Sequence, residues 1–310
     1  MGAAAALAGW HRGATPGDTH RVVPSEDSYY RRDLALVHHR GFGFHARACA
    51  PGILALLEPV RSRDGIVLEL GCGSGLLTRE LTAAGHRVIA TDASPAMLEL
   101  ARSYARDAED IRALVLSGDP LFPADAVVSV GHVLNYLPDE RAIDQALAAI
   151  AQAVRPGGLF AVDMCDLEYG QARRDAPNTS LVSNDWAIIT RFSLPAPNRF
   201  VRQSTTFVRN DDGSWRRDDE RHHNVLIDTA RVPALLLAEG AQVTVASVRN
   251  RAAAHRTART DRATRRLTNR HLRQDDPTSG PNRGRSGWVL GMQSACPRIL
   301  APCPFDSITS

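Results

Sequence analysis

The run Val67-Leu68-Glu69-Leu70-Gly71-Cys72-Gly73-Ser74-Gly75-Leu76 constrains what this chain can fold into more than any other segment. Three of the first four residues are apolar, which reads as a strand buried on both faces. Leu76 to Ala84 then carries apolar residues at helical spacing. Between them stand three glycines at alternate positions, the residue type that adopts positive φ without steric cost and lets a ligand approach the backbone. A strand entering a helix through such a turn is the opening unit of a parallel α/β sheet. A glycine turn of this kind also occurs with no ligand at all, so the rest of the chain has to decide its use.

The alternation continues. Strand patterns at Ile66 to Leu70, Arg87 to Ala90, Ala113 to Leu116, Ala126 to Val130 and Leu159 to Asp163 are separated by helical stretches at Leu76 to Ala84, Pro95 to Ala105 and Glu140 to Val154. Asp92, Ser94 and Pro95 supply the capping and first-turn chemistry of the second of these helices. Ahead of the first strand, Asp33 to Leu57 reads as helices broken at Gly41, Gly43 and Pro51-Gly52. From Trp186 to Ile227 the texture changes to polar–apolar alternation, with turns at Pro195 to Asn198 and Asn210 to Gly213, which predicts an antiparallel insertion or cap. A helix from Ala230 to Glu239 and a strand from Val243 to Val248 return to the sheet. The expected organisation is a loose leader over 1–30, an α/β core over 31–165, a β-rich cap over 166–228, a return over 229–248 and an arginine-rich tail over 249–310.

An apolar fraction of 44% is enough for a sizeable core. The chain contains no lysine, so all 37 basic residues are arginine. That excludes Schiff-base chemistry and the phosphate-binding lysine of a P-loop. The five cysteines are scattered and unpaired in sequence, signalling neither a disulfide framework nor a zinc site, and a reducing cytoplasm is the expected compartment. The apolar stretch from Ala3 to Trp10 is too short to span a bilayer.

The second strand ends in Asp92, where a doubly wound sheet places a carboxylate to accept both hydroxyls of an unphosphorylated ribose. Leu76 stands where the dinucleotide fingerprint requires Gly or Ala, and Glu69 lies two residues before the first glycine; both argue against a nicotinamide cofactor. The sequence E-L-G-C-G-S-G at 69–75, the Asp92 strand end, Gly118-Asp119 after the third strand and R-P-G-G at 155–158 together resemble the class I S-adenosylmethionine-dependent methyltransferases. The resemblance covers roughly residues 33–248, and D-L-A-L-V-H-H-R-G-F-G-F at 33–44 is similar to the entrance helix of small-molecule members with a β-rich insertion after the fifth strand.

The resemblance implies a Rossmann-like, doubly wound and mostly parallel sheet with helices on both faces, S-adenosylmethionine as cofactor and a small-molecule acceptor methylated at N or O. It implies that Glu69 and the loop Gly71, Cys72, Gly73 and Gly75 lie along the methionine part of the cofactor and that Asp92 holds the ribose. Ala93 and Met97 would flank the adenine, Asp119 would accept from its amino group beside Pro120, and Gly131-His132 would face the sulfonium. Methyl transfer needs no protein nucleophile, but a neutral amine or a phenol has to lose a proton, for which His132, Tyr136 and His222 are the candidates. Against these roles stand a packed helix residue for Tyr136 and an exposed strand for His222-His223. No metal is expected: His38, His39 and His45 have no carboxylate or cysteine at ligand spacing and read as a helix surface or lid.

Arg249 to Arg285 holds eleven arginines against three aspartates. It fits ordinary disorder or a nucleic-acid arm, though without the interleaved aromatics of the latter. Family members close the sheet with a final antiparallel strand soon after the sixth; here that strand is missing or displaced. A return through Trp288 to Met292 needs an exceptionally long connection, so everything after Val248 reads as an aberrant end such as a shifted reading frame would give. A nicotinamide-dependent oxidoreductase and a non-catalytic Rossmann-like binder with a nucleic-acid-binding tail are the competing functions.

Overall fold

The computed structural model of the protein describes residues 29–116, 118–248 and 286–293. The expectations for the leader, and for the tail other than 286–293, lie outside the described residues. Helices α1 (Arg32–Gly41) and α2 (Phe44–Arg61) precede the first strand. Five parallel strands follow, β1 (Ile66–Leu70), β2 (Arg87–Asp92), β3 (Asp110–Ala113), β4 (Ala124–Ser129) and β5 (Val154–Cys165), with α3 (Leu76–Ala83), α4 (Pro95–Tyr104) and α5 (Glu140–Ala153) between them. The short α6 (Leu167–Gln171) leads into a separate antiparallel sheet of β6 (Thr179–Val182), β7 (Trp186–Ala196), β8 (Arg199–Arg209) and β9 (Trp215–Val225). The chain then returns through α7 (Val232–Leu237), β10 (Ala241–Val248) and β11 (Ser286–Gln293).

The core sheet has the order β10-β11-β5-β4-β1-β2-β3. The central strands β1 and β4 and the second half of β5 are apolar almost throughout because both faces are covered. Val67, Val88, Ala126, Val128 and Ala161 pack against Ile53, Leu57, Leu77 and Leu81 on one side. Leu68, Leu70, Val127, Phe160 and Val162 pack against Ile143, Leu147, Ile150 and Leu236 on the other. Period-two alternation in β1 therefore puts Glu69 on the α3 side, beside Val67. The buried face of the second sheet, through Trp186, Ile188 and Val208, packs on Leu34 and Val37 of α1. This sheet sits over the carboxyl ends of the core strands, tied there by ion pairs of Arg31 with Asp218 and of Arg216 with Asp33.

The expected fold class is found, with one correction: the last strand is not missing. β11 lies antiparallel between β5 and β10, with Trp288 opposite Asp163 and Ala246 opposite Trp288. The unpaired N–H and C=O groups along the outer edge of β5 give the long connection its compensation, since β11 satisfies them. Residues 286–293 are thus part of the core sheet and not of an aberrant end.

Other differences are local. α2 runs through Pro51 and Pro59 instead of breaking at Pro51-Gly52, because Ala50, Ile53, Leu57 and Val60 form a continuous buried stripe that outweighs the lost backbone bonds. β3 begins at Asp110, three residues ahead of the expected Ala113, and Leu114 to Leu116 lie beyond it. The helix expected over Ala230 to Glu239 is a 3-10 turn at Thr229–Arg231 followed by α7. Among the described residues no helix is long and apolar enough to cross a membrane. Cys49, Cys72 and Cys165 are free.

Candidate active site

The glycine loop is built from three left-handed residues, Gly71 (φ 68°), Gly73 (φ 54°) and Gly75 (φ 79°). They are glycine for different reasons. A Cβ on Gly71 would lie 2.3 Å from a methyl of Val133, and one on Gly75 would lie 2.9 Å from Ala105. A Cβ on Gly73 would meet only the Met97 sulfur, at 3.9 Å. Space therefore remains beside Gly73, bordered by Met97 and the loop, while the other two positions are filled by the protein itself. Asp92 faces this space from the end of β2. Its Oδ2 accepts from Gly73 N at 2.8 Å and its Oδ1 from Ser94 N at 2.8 Å. Burial raises the Asp92 pKa, and these backbone donors oppose the shift.

Glu69 is buried below the loop, where its Oε2 accepts a 2.7 Å hydrogen bond from the Thr78 hydroxyl of α3. Burial pushes its carboxyl up to about 7; the Thr78 bond acts against the shift and the Asp92 charge adds to it. Cys72 is buried, and Met97 is buried beside Ala93 at the start of α4, whose cap is Ser94 Oγ accepting from Met97 N. Asp119 accepts from Val115 N at 2.8 Å, with Pro120 exposed next to it. Tyr29, ahead of α1, is held above its ordinary pKa by burial and then by the charges of Asp92 and Asp119, so a phenol joins these two carboxylates at the same rim. His39 of α1 lies with Nδ1 2.9 Å from Ser74 Oγ, which fastens the entrance helix to the glycine loop.

A second group lies at the ends of β4 and β5. Gly131 (φ 107°) has open space where a Cβ would stand, and His132 follows in the left-handed region at φ 61°. The strain of a non-glycine residue there is held by Asp163 of β5, whose Oδ1 accepts from Gly131 N at 2.9 Å and His132 N at 2.8 Å. His45 of α2 reaches Asp163 Oδ2 through Nε2 at 3.1 Å, and His132 Nδ1 stands 3.4 Å from the same oxygen without a hydrogen bond. Burial disfavours charge on His45, but its bonds to Asp163 and Cys49 overcome this and hold it up to about 10. His132 moves the other way: burial lowers its pKa against the pull of Asp163, helped by the charges of His45, Arg173 and Arg202. The pair is thus a charged His45 and a neutral His132 across one carboxylate. The candidate donor atoms of His45, His132 and Asp163 lie within 4.8 Å of one another, so the carboxylate that His45 lacks in sequence is supplied by a distant strand.

The third group joins the two sheets. Tyr136 Oη and His222 Nδ1 are 3.2 Å apart, and Arg202 Nη2 of β8 donates to Tyr136 Oη at 2.9 Å and to Tyr30 Oη at 2.6 Å. The same nitrogen lies 2.9 Å from His222 Nδ1, while His222 Nε2 lies 3.0 Å from Glu220 Oε2. The network assigns the His222 proton to Nε2, toward Glu220, which leaves Nδ1 as the acceptor for the Tyr136 hydroxyl beside Arg202. Burial, opposed by the Glu220 bond and reinforced by Arg202, lowers the His222 pKa. Burial raises that of Tyr136 despite Arg202. His222 is buried, whereas His223 is exposed as a strand residue would be.

The structure therefore brings Tyr136 and His222 together and places His132 in a different cluster with Asp163 and His45. Asp163, Tyr30, Arg173, Arg202 and Glu220 are additions to the set expected from sequence. Two of them carried a signal. Asp163 lies near the carboxyl end of a parallel strand, where sites of this fold lie, and Arg202 shares the alternate positions of β8 with buried Phe200, Ser204 and Val208.

Residues 67–158 match the family model described as a methyltransferase domain. That match, this sheet order and an acidic second-strand end facing an open glycine loop support a class I S-adenosylmethionine-dependent methyltransferase. The chain is 31% identical over 148 residues to a ubiquinone biosynthesis O-methyltransferase of Mesorhizobium japonicum, covering 46% of this chain and 52% of that protein. It is 34% identical over 133 residues to the cypemycin N-terminal methyltransferase of a Streptomyces species, covering 40% and 53%. The chain spans about half the length of these curated relatives. Among solved structures it is similar to an S-adenosylmethionine-dependent methyltransferase from Clostridium acetobutylicum, with a TM-score of 0.62 and 14% identity over 84% of this chain and 98% of that one, a likeness of fold.

Proposed function

We propose that this protein transfers a methyl group from S-adenosylmethionine to a nitrogen or oxygen of a small-molecule acceptor. The observation that carries the reading is the unfilled space beside Gly73, bounded by Met97 and faced by the Asp92 carboxylate. Gly71 to Gly75 and Glu69 would hold the methionine part of the cofactor, Asp92 the ribose, and Ala93, Met97, Asp119 and Pro120 the adenine. When bound, the cofactor supplies a methyl group already activated by its sulfonium, so that the protein has to provide alignment and a dry site. By their names one relative is an O-methyltransferase and the other an N-terminal methyltransferase, which supports either acceptor atom.

His132 is the best-placed base of the three candidates. It is kept neutral by burial, and Asp163 beside Nδ1 favours the tautomer in which Nε2 is the acceptor. His222 has its Nδ1 engaged by the Tyr136 hydroxyl, with Arg202 beside it. It fits a positioning role, fixing the Tyr136 hydroxyl and the cap sheet.

Calorimetric titration with S-adenosylmethionine and S-adenosylhomocysteine, with NAD as control, tests the reading. Micromolar binding of the first two and none of NAD is the expected result; a folded preparation that binds neither would refute it. Asp92→Ala removes a charged acceptor and should cost about 1.5–3 kcal/mol of cofactor affinity, roughly 10- to 150-fold. Unchanged affinity in that variant would sink the ribose assignment.

A further inference from the structure

Among the described residues two guanidinium groups stand near His132 without an ion pair. Among the described residues Arg202 forms no ion pair; Nη2 is spent on the two phenols and lies beside His222, while Nε is cut off from solvent and has no partner. Arg173, just after α6, stacks its guanidinium 3.7 Å over the Tyr169 ring, and its Nη1 is likewise cut off and unpartnered. The Tyr169 ring lies 5.6 Å from that of His132 and 5.7 Å from that of Phe200, two residues before Arg202 on β8. Both cations act on His132 and on Tyr169, so they converge on one region.

Asp163 and Glu220 already have partners. Asp163 is saturated by Gly131 N, His132 N and His45. Glu220 accepts from Arg31 N and engages His222 Nε2. Enclosed cations with unmet donors are costly unless something supplies the opposite charge, and a guanidinium fork matches the paired oxygens of a carboxylate or phosphate. The Tyr30 hydroxyl, which accepts from Arg202, still carries a hydrogen to donate.

We propose that Arg202 and Arg173 form an oxyanion-binding subsite, so that the methyl acceptor is a small molecule bearing a carboxylate or phosphate group. The subsite rests on the methyltransferase reading for its link to the acceptor but not for the binding of the anion itself. It also separates the two tasks of the pocket: the arginines hold the charged end, and His132 meets the end that loses its proton.

The test uses the full chain, with and without saturating S-adenosylhomocysteine. Acetate, inorganic phosphate and, as the neutral match of acetate, acetamide are titrated at constant ionic strength, followed by carbon and phosphorus NMR line broadening. Millimolar binding of acetate or phosphate at least tenfold tighter than acetamide is expected, and the tighter of the two anions names the group. Arg202→Gln and Arg173→Gln should each weaken the anion tenfold or more while leaving S-adenosylhomocysteine affinity intact. Acetamide binding as well as acetate and phosphate, no binding of either anion, or folded variants with full anion affinity would overturn the proposal. Should the variants fail to fold, the anion-to-amide ratio of the unaltered chain decides. Anion binding without S-adenosylhomocysteine binding would keep the subsite and refute the cofactor assignment; the converse would do the reverse.

Discussion

Gly73→Val is expected to leave the protein folded and abolish cofactor binding. Position 73 has φ 54°, where a branched residue costs about 1–2 kcal/mol of backbone strain, a loss most domains survive. Its side chain would not collide with the protein, since only the Met97 sulfur stands within 4 Å of a Cβ there. It would instead occupy the space assigned to the cofactor, at a cost of about 3 kcal/mol or more, a drop in affinity beyond roughly 150-fold. Gly71→Ala makes the opposite case. Its Cβ would sit 2.3 Å from a Val133 methyl, so misfolding should come first. Thermal melts and S-adenosylhomocysteine titrations of both variants separate the two effects. A Gly73→Val protein that binds normally would show that the cofactor does not lie against this loop.

The second large effect concerns Glu69 and pH. Its ordinary carboxyl value is 4.5, and in the folded chain it stands at about 7, raised chiefly by burial. Below about pH 4.5 the group is protonated in both states and costs nothing. Between 4.5 and 7 the unfolded chain releases the proton while the folded chain keeps it, so stability falls as pH rises. Above 7 the deficit levels off at about 3 kcal/mol. Glu69→Gln keeps an acceptor for the Thr78 hydroxyl and removes the titration. The variant should therefore match the parent near pH 4.5 and exceed it by about 2–3 kcal/mol at pH 8 in urea denaturation without cofactor. A gap that does not widen with pH would mean that Glu69 ionises normally. A buried acid tolerated at this cost next to the glycine loop accords with a role toward a positively charged ligand group, such as the ammonium of the cofactor.

Much of this architecture was legible because it is local. The two-sided apolar strands, the Ser94 cap and the alternate glycines each declare themselves within a dozen residues, and Asp92 follows from the end of a strand. The hairpin turns at 195–198 and 210–213 were legible for the same reason. What escaped depends on distant partners. His45 meets Asp163 across more than a hundred positions, and Arg202 meets Tyr30 and Tyr136 only after the second sheet has docked on α1. The path of α2 through Pro51 is not legible in the sequence because a proline signal is local, whereas the stripe that overrides it is satisfied by α3 and the sheet. The last strand was doubted because its worth lies in the bare edge of β5, which no short window reveals.

The wedged position of β11 also orders events in time. Asp163, on which the geometry of Gly131 and His132 depends, sits on a strand whose outer partner is made only after residues 249–285 have been synthesised. A nascent chain emerging from the ribosome can assemble the glycine loop and its neighbours early. It cannot seal the strand beneath the reacting groups until residues 286–293 are out, so the last part of the pocket to become rigid is the part that would handle the proton.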